Sequence, residues 1–127
     1  MILNGLDVSV DVRLDNEVYQ FDFESATGKT RLYNVVKSYQ RSGYRAAAYS
    51  YNDLQAGVDF ISVVNKVNPL LLVVDRYDMF SDMYHEELLE LSKKCIVLID
   101  SKEILPFGEY YLACSIEMTP TMIEVYE

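Results

Sequence analysis

Six consecutive residues, Ser25, Ala26, Thr27, Gly28, Lys29 and Thr30, bring together small side chains, a glycine, three hydroxyls and one cation. Backbone N–H groups gathered at a helix N-terminus favour an anion, and the helix dipole adds to that preference. Gly28 allows close backbone approach, Lys29 supplies charge for β and γ phosphates, and the Thr30 hydroxyl suits Mg²⁺. Acids that close apolar runs form a second set: Leu71-Leu72-Val73-Val74 ends in Asp75, with Asp78 close behind, and Cys95-Ile96-Val97-Leu98-Ile99 ends in Asp100 and Ser101.

The order of elements shows how these residues would be positioned. Leu6 to Leu14 alternates apolar and polar residues, Asp15-Asn16-Glu17 has turn chemistry, and Val18 to Phe23 alternates again, which predicts a β-hairpin over residues 6–23. Leu32, Val35, Val36 and Tyr39 keep helical spacing, with Lys37, Gln40 and Arg41 on the other face and Gly43 as the stop. A strand over residues 44–51 follows. A helix capped by Asn52 or Asp53 then carries Leu54, Val58, Ile61, Val64 and Val67 on one face.

Beyond Pro69, residues 70–74 read as a strand buried on both faces. A third helix, capped by Ser81 or Asp82, runs through Leu88, Leu89 and Leu91 to Lys93-Lys94, and residues 95–99 form another buried strand. Residues 110–118 and 122–126 give two last strands around Thr119-Pro120-Thr121. The expectation is one α/β domain over residues 1–127: a mainly parallel sheet in three layers with flanking helices and an N-terminal β-hairpin, its ligands at the strands' carboxyl ends.

Residues 23–30 resemble the Walker A loop of the P-loop NTPase superfamily, in its G-E-S-G-x-G-K-T form. Glu24, Ser25, Thr27, Gly28, Lys29 and Thr30 match; Phe23 and Ala26 stand where that form has glycines. A Cβ in the left-handed conformation such glycines adopt costs roughly 1–2 kcal/mol. Leu71 to Asp75 resembles a Walker B strand, and Asp100 or Ser101 falls where AAA+ and recombinase-like members place a polar sensor. The resemblance, over residues 18–101, implies ATP or GTP bound with Mg²⁺ through residues 25–30, Thr30 and Asp75 as the metal's ligands, and Asp78 as the residue that activates water. Arg76 stands where a general-base Glu commonly follows Asp75, so weak or absent hydrolysis is expected.

Composition narrows the alternatives. The net charge of −9 argues against a nucleic-acid footprint. Acid concentrates late: residues 1–69 hold seven Lys/Arg and eight Asp/Glu, residues 70–127 four and twelve. No apolar run reaches a membrane span and the opening residues lack a leader's basic and apolar regions, which predicts a cytoplasmic location and no membrane contact. Cys95 and Cys114, in apolar runs, read as reduced and buried. His85, beside Glu86 and Glu87, reads as solvated. Tyr33, Tyr39, Tyr49 and Tyr84 read as core or rim, while Tyr19, Tyr44, Tyr51, Tyr77, Tyr110, Tyr111 and Tyr126 are candidates for an interface. Arg31, Arg45 and Arg76 read as surface ion-pair partners. Two functions follow: a degenerate nucleotide-binding domain, or a protein-binding module on the same scaffold that docks a protein partner without nucleotide.

Overall fold

Buried strands with apolar residues on both faces need cover on both sides, and the chain provides it by alternating strands with helices. The computed structural model describes residues 1–21, 29–80, 83–101 and 111–127. Ser25, Ala26, Thr27 and Gly28 lie outside the described residues, as do Ser81, Asp82 and Tyr110. The strands are β1 (Ile2–Leu3), β2 (Ser9–Arg13), β3 (Val18–Phe21), β4 (Ala46–Ser50), β5 (Leu71–Asp75), β6 (Ile96–Ile99), β7 (Tyr111–Met118) and β8 (Met122–Tyr126). They form one sheet in the order β1-β2-β8-β7-β3-β6-β5-β4. From β4 to β7 every neighbouring pair is parallel. β8 returns antiparallel to β7, runs parallel to β2, and β1 closes the flank antiparallel to β2.

The hairpin expected over residues 6–23 does not form. β3 is buried along its whole length and both its edges are taken by parallel neighbours, β6 and β7. β2 buries alternate residues only, and that one-sided pattern places it in the flank between β1 and β8. The N-terminal antiparallel pair is therefore β1 with β2.

Helix α1 (Lys29–Arg41) covers one face with Leu32, Val36 and Tyr39, packed on Ala46, Ala48, Leu71, Val73 and Leu98. Gly43, at φ 86°, follows it. The helix expected after Asn52 is two helices, α2 (Tyr51–Gln55) and α3 (Phe60–Val67). Gly57 breaks them apart at φ 84°, and each half has its own cap: Ser50 and Asp53 form a capping box for α2, and Asp59 accepts from the Ser62 N–H for α3. The third helix is described as α4 (His85–Leu91), with a 3-10 turn (Tyr77–Phe80) earlier in the chain; its expected caps, Ser81 and Asp82, lie outside the described residues.

Helices α3 and α4 cover the second face, where Phe60, Leu88 and Leu91 meet Ala47, Tyr49, Leu72, Val74, Val97 and Ile99. Side chains of β4, β5 and β6 thus alternate between two cores, each buried aliphatic contributing roughly 1.5–3 kcal/mol. Tyr19 and Tyr77, candidates for an interface from sequence, are both buried in these cores. Among the described residues no helix is long and apolar enough to cross a membrane.

Lys37 and Gln40 do not point away from the sheet. β4 is an edge strand, and its Ala48 N–H donates to Gln40 Oε1 at 3.0 Å while Lys37 Nζ donates to the Ala48 carbonyl at 3.0 Å. Two long side chains of α1 satisfy backbone groups that would otherwise offer a pairing edge.

Candidate functional site

β3 leads through α1 to β4 at the far edge; β4 and β5 then wind back through the opposite face to β6, beside β3, while β7 takes β3's other side. The winding direction reverses next to β3, and in open α/β sheets ligands gather outside the carboxyl ends of strands at such a point. The parallel registers set a row of polar residues there. Ser50 pairs with Asp75, and the Val74–Ile99 pairing puts Asp100 next to Asp75 on the neighbouring strand.

Lys29, the first residue of α1, reaches this row. Its Nζ lies 3.1 Å from Asp100 Oδ1, with the two side chains 12% and 17% exposed. The Asp75 and Asp100 carboxyls are within hydrogen-bonding reach of one another. Burial, then the hydrogen bond and negative charge of Asp100, push Asp75 up to about 6, opposed by the Arg76 guanidinium and backbone N–H. Backbone bonds hold the geometry: the Asp100 N–H donates to the Val74 carbonyl at 2.9 Å and the Tyr77 N–H to the Asp100 carbonyl at 2.8 Å.

Of the residues singled out from sequence, Lys29 is paired with Asp100, and Asp100 lies beside Asp75 on the neighbouring strand. Thr30 is one residue into α1 and exposed; Ser101 is buried. Asp78 lies in the 3-10 turn, its Oδ2 3.7 Å from Arg76 Nη2. Ser25, Ala26, Thr27 and Gly28 fall outside the described residues. Arg31 and Arg45 depart from expectation: Arg31 donates to the Thr119 and Pro120 carbonyls, both at 2.8 Å, and Arg45 to the Asn68 carbonyl at 2.9 Å. Arg31 thereby ties the start of α1 to the β7–β8 turn. Both cysteines are free, and burial pushes their thiols up to about 12, leaving them inert at neutral pH.

A second cluster was not foreseen. Asp53 Oδ2 accepts from the Tyr33 hydroxyl (2.7 Å), the Ser50 N–H (2.8 Å) and Lys37 Nζ (3.2 Å). Its members are spread over residues 33–53, and only the Ser50-to-Asp53 capping spacing is a local signal.

The donor set at Asp75 and Asp100 suits a hard divalent cation: two carboxylates on neighbouring strand ends, Asp75 raised first by burial and then by Asp100. Among the described residues no group of three or more His, Cys, Asp or Glu gathers as a metal cage. Mg²⁺ characteristically keeps several waters and needs only one or two carboxylates. Comparison of the chain with protein-family models, with curated proteins and with solved structures gave no match in any of the three.

Proposed function

We propose that the chain is a degenerate, three-layer P-loop NTPase-like domain that binds ATP or GTP with Mg²⁺, with weak or no hydrolysis. The observation that carries this reading is a chain of contacts, Lys29 on Asp100 and Asp100 beside Asp75, at the carboxyl ends of parallel strands where the winding reverses. These are the positions that the resemblance assigns to phosphate, metal and sensor, and they are far apart in the chain. Lys29 contacts phosphate in exchange for Asp100; Asp75 and Thr30 hold Mg²⁺, whose charge offsets the phosphates and the carboxylate pair. Arg76 follows Asp75, and Asp78 lies against that arginine, an arrangement that argues for binding over turnover.

Calorimetric titration with ATP and GTP, with and without Mg²⁺, tests it. Saturable, Mg²⁺-dependent heat is expected, weakened at least about tenfold in Lys29→Ala, a loss of about 1.4 kcal/mol. Absence of heat and of thermal stabilisation at millimolar nucleotide would sink the proposal. The Lys29–Asp100 ion pair favours a second reading in that event: a site neutralised from within, on a scaffold that docks a protein partner.

A further inference from the structure

A cavity of about 390 Å³ opens on the other side of Asp75 from Lys29's partner Asp100, toward the end of β4, and is lined by Ser50, Asn52, Gln55, Asp75, Arg76 and Met79 among others. Its volume is within the range of small-molecule pockets. Arg76 dominates its chemistry. The residue has φ 53°, a left-handed conformation that a non-glycine side chain holds only when its surroundings demand it. Its Nε is enclosed and has no hydrogen-bond acceptor among the described residues. Its Nη2 is 3.7 Å from Asp78, beyond hydrogen-bond length, and the side chain is 41% exposed. A guanidinium has five donors in a fork that matches a carboxylate with two parallel bonds, and the exposed end of this one, beyond hydrogen-bond length of Asp78, is where a ligand can meet it.

The second charge on the cavity wall is Asp75, an acceptor adjacent in the chain. The two formal charges cancel, and Asn52 and Gln55 offer both donors and acceptors without charge. Asp75 would repel a bare anion and Arg76 a bare cation. A molecule with both charges, separated by a single carbon, satisfies the pair together.

We infer that this cavity is a binding site for a free α-amino acid, its carboxylate on the Arg76 fork and its ammonium on Asp75, with the side chain toward Met79 and Gln55. The site shares Asp75 with the proposed Mg²⁺ position but lies on the side of Asp75 away from Asp100 and takes no nucleotide.

The test is thermal-shift and calorimetric titration of the whole chain, free of nucleotide and Mg²⁺, with each standard amino acid at up to millimolar concentration. Each is run beside its decarboxylated amine, its deaminated acid and inorganic phosphate. At least one amino acid is expected to saturate, with both single-charge analogues at least about tenfold weaker. Arg76→Gln should lose binding by a similar factor. Gln55→Leu, which removes an amide from the cavity wall without touching either charge, should change which amino acid is preferred and so report on the site even if Arg76→Gln folds poorly. Binding of no amino acid, equal binding of phosphate or the deaminated acid, or full binding in a folded Arg76→Gln would each overturn the inference. A failed nucleotide titration leaves it standing, because no nucleotide enters this experiment.

Discussion

Two half-buried lysine–aspartate pairs lie at the carboxyl ends of the sheet, Lys37–Asp53 at 3.2 Å and Lys29–Asp100 at 3.1 Å, with similar exposure. Their surroundings make them opposites. Burial alone would raise Asp53, but hydrogen bonds from Tyr33 and the Ser50 N–H, with the charge of Lys37, outweigh it and hold the carboxyl below its ordinary value. At the other pair the added neighbour is a second carboxylate, and Asp75 is pushed up to about 6. One cluster is saturated with donors and clamps α1, α2 and β4 together. The other sets two neighbouring carboxylates against Lys29 and the Arg76 guanidinium, and there burial is not outweighed, so Asp75 stays raised. What separates a structural ion pair from a candidate site here is the balance of donors against charges, not the pair itself.

Breaking the saturated cluster should have the largest effect. Asp53→Ala removes the α2 cap and the acceptor for both Tyr33 and Lys37, and is expected to cost about 3 kcal/mol in urea unfolding, the sum of a cap and the stranded donors. Tyr33→Phe deletes one bond to a charged acceptor and leaves the rest, so a loss of about 1.5 kcal/mol is expected by the same measurement. Tyr33's own hydroxyl, pushed up to about 12 chiefly by burial, stays protonated throughout the working range.

The smallest effect has the opposite sign. Asp75's folded value of about 6 lies above its unfolded value of roughly 3.9, so the native state binds the extra proton. Its contribution favours folding below the unfolded value and is lost as pH rises through about 6. Asp75→Asn should therefore raise stability at pH ~8 by on the order of 1 kcal/mol, after discounting for solvent screening, and change little at pH ~4. Asp53 behaves in reverse: its contribution is present above the ordinary carboxylate value and fades as pH falls through its depressed one. Urea midpoints across this range for both variants would show the two slopes, and equal slopes would erase the distinction between the clusters.

Much of the site was legible in the chain because it sits where local patterns end. An apolar run closing in Asp75 and another closing in Asp100 predict two acids at strand ends, and the helix from Lys29 follows from the spacing of Leu32, Val36 and Tyr39. The nearness of Asp75 to Asp100 was not legible, because it depends on which strand lies beside which and in what register. Lys37 and Gln40 were misread as outward-facing because the 3.6-residue period cannot say that α1 lies against an edge strand. Tyr19 and Tyr77 take the core alternative to an interface for a related reason: a tyrosine's tip is polar, and only the packing around it decides whether the ring is buried. Gly57 and Asp59, the break and the cap that separate α2 from α3, lie inside an apolar spacing that runs from Leu54 through Ile61 and Val64, so the period by itself predicts one helix.

Sequence by itself determined the α/β alternation, the boundaries of the buried strands and the acids that end them, since these follow from short-range periodicity and from which residues tolerate a pleated, two-sided core. Tertiary structure alone decided that β2 leaves β3 for the flank, that Lys29 meets Asp100, and that burial beside Asp100 raises Asp75. Those outcomes depend on strand order, register and shared burial, quantities set by contacts between residues tens of positions apart and therefore absent from any local window of the chain.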